Sequence, residues 1–296
     1  MKLKYFLLDV FTDKELAGNP LAVVMKADHV SDELMQKIAT EFNLSETVFV
    51  RQPRLDYHAA ALRIFTAKTE LPFAGHPTVG TAVLLGLEQR LSGVRLEEEI
   101  GVVTCVIERT GKRSGTAHFS LPQLPERLGE APSSEAMAEA LGLGVEDFGC
   151  GDFLPAQWSA GVPFYLVPLR DAAALARIRI ERRGWFDVFP DGRNAVYAFT
   201  ATPEEKSNDF AARMLSPHIG QGEDPATGSA AAALIGLLSD HAPGDGPSDF
   251  KLRQGHEMGR PSLISLRFSK QAGKLDRAGI GGSAVVIAEG EMDLSA

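Results

Sequence analysis

Glu46, His76, Asp224 and Ser229 are the side chains of this sequence whose type and setting point most directly to chemistry. Glu46 stands in NLSETVFV, between a segment with helical periodicity and an apolar run that reads as a buried strand, where a carboxylate is costly unless paired or used. Taken alone, a glutamate at such a junction is more often a solvated or capping residue. His76 and Ser229 occupy matching places in ELPFAGHPTVGTAVLLGLEQ and GEDPATGSAAAALIGLLSD. Each comes after a charged, Pro-containing turn and a glycine, Gly75 or Gly228, and each opens a helix that carries no formal charge for about three turns. Helices apolar all round and too short for a membrane must be buried centrally, wrapped by strands.

A buried helix start has unpaired N–H groups and a partial positive charge, and leaving those donors dry costs several kcal/mol. A ligand carboxylate is one remedy. Gly75 and Gly228 permit close backbone approach, and His76 and Ser229 add donors beside the same amides. The alternative is that His76 and Ser229 are N-caps and the glycines turn residues. For Ser229 the two readings stand level, because serine is a favoured cap. For His76 capping is the weaker reading, because Pro77 already suits the first helical turn. Glu223 and Asp224 just before the second helix serve either its dipole or a function. If both halves converge, Glu46 and Asp224 are expected to share one pocket, where desolvation and like charge raise at least one pKa toward neutrality.

Other chemistries find no support. GHPTVG lacks the GxGxxG spacing and GEDPATGS lacks the lysine of a phosphate-binding loop. The seven histidines form no HxH or HExxH pair, so no metal is expected. Cys105 and Cys150 stand far apart in unlike contexts and read as buried or incidental thiols.

The elements that must position these residues are legible in outline. KYFLLDVFT (4–12) and PLAVVMKA (20–27) read as strands separated by the turn-forming AGNP. A helix capped by Ser31 comes next, with Asp32 and Glu33 at its positive end and Leu34, Ile38 and Phe42 as its core stripe. Strands 47–50 and 61–66 precede a helix from about Pro77 to Gln89, and VRLEEEIGVVTCVIERT with GTAHFSLPQL reads as a hairpin around GKRSG. The Pro-rich LPQLPERLGEAPSS reads as an interdomain linker. Beyond it the second half of the chain repeats the first: AGNPLAVV with AGVPFYLV, SETVFV with NAVYAFT (194–200), and ELPFAGHP with EDPATGSA, in the same order. Together these matches favour a duplicated fold around a shared cleft.

At 296 residues with 44% hydrophobic and 23% charged residues, the chain is expected to form two globular domains. A net charge of -9 without a long basic run argues against nucleic acid or an anionic membrane as partner. Asp9, Asp13 and Glu15 come too early for a signal peptide, and no apolar tract is long enough to span a bilayer. The expected location is cytoplasmic.

With these residues in hand, the chain resembles the phenazine-biosynthesis PhzF-like family within the diaminopimelate-epimerase-like fold. The resemblance runs through DVFT (9–12), GNPLAVV, NLSETVFV, ELPFAGHPTVGTA, SAGVPF, GEDPATGSAAAAL, QGHEMGRPS and GGSAVV, in that order. It implies an α+β fold of two pseudosymmetric domains, each a curved, mostly antiparallel sheet around a central helix. The expected domains are 1–125 with 284–296, and 126–283. It also implies Glu46 as catalytic acid/base with His76, Asp224 and Ser229 as its partners, and Gly75, Gly228 and Thr227 binding substrate. The activity implied is a cofactor-free isomerisation of a small carboxylate-bearing substrate, in a protein that forms a homodimer. Relatives in the wider fold that invert amino acids use two opposed cysteines; PFAGHP and DPATGS contain none. An idle small-molecule or protein-binding module, or a lyase or epimerase acting on a hydroxylated amino acid, stay open as alternatives.

Overall fold

The computed structural model describes residues 1–189, 195–206, 208–219 and 222–294. Asn194, which opens one of the repeat matches, and Ser295 and Ala296 of the C-terminal segment lie outside them. The chain divides into two compact units, Met1–Pro122 with Ile280–Ala296, and Gln123–Gly279.

In the first unit β1 (Lys2–Val10) and β2 (Asn19–Val24) are followed by α1 (Asp32–Phe42), β3 (Glu46–Arg51), β4 (Ala60–Phe65) and the short β5 (Glu70–Leu71). Then come α2 (Gly75–Gln89), β6 (Gly93–Glu98), β7 (Gly101–Arg109) and β8 (Ser114–Ser120). Ser31 caps α1 by accepting from the Leu34 N–H at 3.3 Å. Asn43 ends the helix in the left-handed conformation, its N–H on the Ala39 carbonyl at 3.1 Å, and so turns the chain into Glu46. The buried face of α1 is Met35, Ile38 and Ala39, packed on Phe49 and Phe65, while Leu34 and Phe42 of the expected stripe lie at its margin. A helix lying on a sheet buries two adjacent rows, and here the small Ala39 lets the backbone approach.

The second unit contains β9 (Glu126–Glu130), α3 (Ser134–Leu141), β10 (Ala156–Ser159), β11 (Pro163–Pro168), α4 (Ala172–Arg177) and α5 (Arg182–Val188). It continues through β12 (Ala195–Ala201), β13 (Phe210–Leu215), β14 (Glu223–Asp224), α6 (Gly228–His241), β15 (Gly246–Gln254) and β16 (Ser262–Gln271). The last strand, β17 (Lys274–Asp293), returns to the first unit, where its residues from Ala284 onward pair antiparallel with β1.

The pairing pattern of one unit is that of the other. β1–β2 and β10–β11 are antiparallel, β2–β3 and β11–β12 parallel, and β3–β4 and β12–β13 antiparallel. β4 then pairs antiparallel with β5 and parallel with β6, as β13 does with β14 and β15. The strands of each unit wrap one apolar helix. α2 packs on β1, β2, β3, β6, β7 and β8, and every residue from Gly75 to Gly86 is buried. α6 packs on β9, β10, β11 and β16, with nearly all of its residues to Ser239 buried. Among the described residues no helix is long and apolar enough to cross a membrane.

Two local expectations are corrected. The Pro-rich stretch expected to be a linker contains β9, whose residues pair antiparallel with β10 from Glu126↔Ser159 to Glu130↔Ala156. Its prolines flank the strand, and Pro125 packs beside Gly236 of α6, so proline here starts a strand and leaves the ladder intact. The single long hairpin is two: β6 reverses into β7 at Glu98↔Gly101, and β7 reverses into β8 around residues 110–113. Gly101 allows the first reversal with φ of 133°, a conformation closed to other residues.

Gly236 in α6 faces the Trp158 ring so closely that a Cβ there would overlap it. Alanine favours a helix over glycine by about 1 kcal/mol. Overpacking a rigid indole nevertheless costs about 1–3 kcal/mol, so Gly236→Ala is expected to lower stability in urea unfolding.

Candidate active site

Both buried helices begin without a side-chain cap. The N-cap positions are Ala74 and Thr227, and neither supplies a capping hydrogen bond. His76 and Ser229 are the second residues of their helices, so the reading of either as an N-cap falls. The turns entering the helices are instead held from behind by an arginine–glutamate fork in each unit. In the first, Arg63 of β4 donates through Nε and Nη2 to the two carboxylate oxygens of Glu70 on β5, and through Nη1 to Asp32 at 2.8 Å. In the second, Arg213 of β13 donates to Glu223 on β14 at 2.9 and 2.7 Å, and its Nη1 reaches the Leu175 carbonyl at 3.0 Å. Planar, two-bond pairing of this kind fixes direction as well as distance. Glu223, read from sequence as serving the helix dipole or a function, is thus committed to Arg213. The arginines were not singled out by sequence; the available signal was the glutamate that opens both matched segments.

In the first unit the structure brings Glu46 and His76 together. Glu46 begins β3, placed there by the α1 cap and by its pairing with Leu21 on β2. Its Oε2 lies 3.3 Å from His76 Nε2, with side-chain exposures of 17% and 5%. The contact is close but is not aligned as a full hydrogen bond, since Nε2 has no partner by that stricter measure. On the other edge of the ring, Asn19 Nδ2 is 3.4 Å from Nδ1. With the amide donating to Nδ1, the ring proton sits on Nε2 and faces the carboxylate. Burial pushes the His76 pKa down to about 3, so the ring is neutral. Asn19, read from sequence only as a turn residue, is therefore the orienting partner of His76.

In the second unit Asp224 is held by its own network. Thr227 Oγ1 donates to Asp224 Oδ2 at 2.5 Å and accepts from Gln254 Nε2 at 3.1 Å. Gln254 Nε2 also donates to the Asp224 carbonyl at 2.8 Å. Its Oε1 accepts from the Thr227 N–H at 3.1 Å and from Tyr197 Oη at 2.9 Å. Every hydrogen-bonding group of the Gln254 amide is used, which fixes both its orientation and that of the turn it braces. Gln254 and Tyr197 are buried, and burial together with the Asp224 charge pushes the Tyr197 phenol well above its ordinary value, so it stays a donor. Thr227, expected to bind substrate, has its hydroxyl committed to Asp224. Gly228 and Ser229 come directly after it as the first turn of α6, with Gly228 buried and Ser229 half-buried. Gly75 holds the equivalent place in α2.

The thiols stand apart from both helix starts. Cys105 is buried in β7, where burial and Glu98 push its pKa up to about 12. The buried Cys150 sulfur accepts the Ala201 N–H at 3.2 Å. An inversion by two opposed thiolates has no thiol at either turn.

The state of the His76 ring can be measured in two ways. Nitrogen-15 NMR of the histidine rings is expected to show His76 neutral with its proton on Nε2 down to below about pH 5; a ring titrating near the ordinary histidine value of 6.5 would overturn the assignment. Because the folded pKa is depressed, the unfolded chain takes up the proton first as pH falls. His76 therefore subtracts stability progressively from about pH 6.5 toward 3, and His76→Gln is expected to flatten that part of the stability profile.

A model of the phenazine biosynthesis-like protein family matches residues 8–290 of the chain. An uncharacterized isomerase of Mesorhizobium japonicum is 45% identical, over 97% of this chain and 98% of that protein. The trans-2,3-dihydro-3-hydroxyanthranilate isomerase of Pseudomonas aeruginosa is 35% identical, again over 97% and 98%. Among solved structures, the Bacillus anthracis phenazine biosynthesis protein of the PhzF family has the same fold, with a TM-score of 0.86 at 24% identity, covering 99% of this chain and all of that one. A family match that runs through both repeats, together with relatives named isomerases along their whole length, places the chain in the phenazine biosynthesis-like, PhzF family, and the protein is an isomerase.

Proposed function

We propose that this isomerase moves a proton from one carbon to another of a small carboxylate-bearing substrate, without a cofactor, with Glu46 as the general acid and base. The supporting observation is the pairing of Glu46 with a buried, neutral His76. A carboxylate that is 17% exposed is reachable by a small molecule yet largely shielded from bulk water. His76 supplies an N–H that steadies the carboxylate without becoming charged. It thus leaves the proton inventory of the reaction to Glu46. One group that removes a proton and returns it elsewhere suits migration along a conjugated system; inversion needs acid and base on opposite faces.

The uncapped start of α2 suits the substrate's carboxylate and the negative charge that develops as the proton leaves, through the amides at Gly75 and His76. In the second unit Asp224, fixed by Thr227 and Gln254, is by itself a group of the kind that accepts from a hydroxyl or an ammonium. The Pseudomonas relative is named for trans-2,3-dihydro-3-hydroxyanthranilate, a molecule carrying all of these groups, and it is the first to test here.

Purified protein incubated in D2O with that compound, and with a panel of hydroxylated and unsaturated carboxylates, is expected to place deuterium on a carbon of one of them, read by NMR. Glu46→Gln is expected to lower the exchange rate by about 10²–10⁴-fold while ligand binding persists. Exchange by Glu46→Gln at the wild-type rate would remove Glu46 from the role.

A further inference from the structure

Glu97 and Glu98 close β6, with Glu99 in the turn beyond, and strand alternation sends the two apart. Glu97 turns outward, where the Arg54 and Leu55 N–H groups and His58 Nδ1 surround its carboxylate. Glu99 is exposed. Glu98 points inward, 8% exposed, against the first turn of α2.

There it meets Thr78. The Thr78 hydroxyl oxygen lies 2.8 Å from Glu98 Oε1 and 2.8 Å from the carbonyl of Ala74, the N-cap residue. A hydroxyl carries one hydrogen and the carbonyl can only accept. Both short contacts are hydrogen bonds only if the carboxyl brings a proton of its own, donating to Thr78 while Thr78 donates to Ala74. The second carboxyl oxygen, Oε2, is buried without a hydrogen-bond partner, a setting in which a full negative charge would go uncompensated. Burial pushes the Glu98 pKa up to about 8. Among the described residues no cation offsets that burial: the facing group on α2 is Thr78, and the titratable neighbour on β7 is Cys105, whose own thiol is pushed up to about 12.

We propose that Glu98 is a positioning residue, held as the neutral acid, whose proton ties the first turn of α2 through Thr78 to the Ala74 carbonyl and thereby fixes His76. The tie spans the two peptides that flank Gly75 and His76, so it sets both the ring facing Glu46 and the amides of the helix start. When Glu98 loses its proton, the carboxylate and the Ala74 carbonyl compete for the one Thr78 hydrogen, and the turn loosens. The site then has an upper pH bound set by a residue that touches no substrate. The catalytic consequence rests on the isomerase reading above; the tie itself does not.

The test therefore begins without substrate. In protein labelled with carbon-13 at the glutamate carboxyls, one resonance is expected to titrate near pH 8 and to vanish in Glu98→Gln. The His76 ring signals are expected to shift with the same midpoint in the wild type and to stay flat in that variant. Thr78→Val provides a second check if Glu98→Gln does not fold: the Glu98 resonance still titrates, but His76 no longer follows it. Absence of a glutamate titrating near pH 8, or a His76 signal indifferent to it, overturns the proposal. With a turned-over substrate in hand, kcat/KM of the wild type is expected to fall about tenfold per pH unit above that midpoint, and Glu98→Gln to lack this alkaline limb. A limb that persists in the variant contradicts the proposal even where the isomerase reading holds.

Discussion

A helix buried on every side cannot rely on water to satisfy its first amides, and in this protein the chain meets that constraint twice. Neither α2 nor α6 carries a capping side chain, so both starts are left as donors in an apolar surround. Such a start is useful only if it stays rigid while empty, and rigidity has to come from behind. The two forks, Arg63 with Glu70 and Arg213 with Glu223, do this from equivalent strands. Ion pairs of this kind, part-exposed in the first unit and mostly buried in the second, add little net stability against an apolar replacement. Their contribution is geometric: they set where the short strands β5 and β14 end and so where each helix begins.

On this common frame the two halves have diverged in chemistry. The first presents a neutral imidazole beside a carboxylate, and the second a carboxylate locked by a hydroxyl and an amide. The divergence is coordinated within each half. Where AGNP supplies Asn19 to orient His76, the matching AGVP has Val162, which is 40% exposed, and the matching helix carries Ser229 in place of histidine. An orienting amide is present where there is a ring to orient.

The duplicated topology was legible because its markers are local: the turn before β2 and β11, the charged Pro-containing turn before each apolar helix, and the apolar helices themselves. Glu46 and His76 were legible as unusual residues for their settings. Their partners were not. Asn19 in a turn dipeptide and Gln254 in an ordinary strand gain meaning only from groups 57 and 30 positions away, Asn19 from the His76 ring and Gln254 from the Asp224 carbonyl. The arginines of the forks are similarly hidden, because each lies on one strand and pairs with the next. Glu98 was concealed differently, inside an acidic run whose ordinary reading is a solvated face; the alternation Val94, Leu96, Glu98 marks it as the inward member. The segment around β9 is the reverse case, since prolines flanking a strand carry the same local signature as prolines in a tether.

The placement of the outer strands bears on how the molecule is made. β9 precedes the body of the second unit but comes after all but the last strand of the first, and β17 completes the first unit only after residues 123–279 have been synthesised. Until then β1 has β2 on one side and nothing on the other, a long apolar edge open to other chains. Completion of the first unit's sheet during translation therefore waits until the residues from 280 onward have been made. Cutting the gene between the halves would yield an N-terminal fragment with an unpaired strand in place of an independent domain.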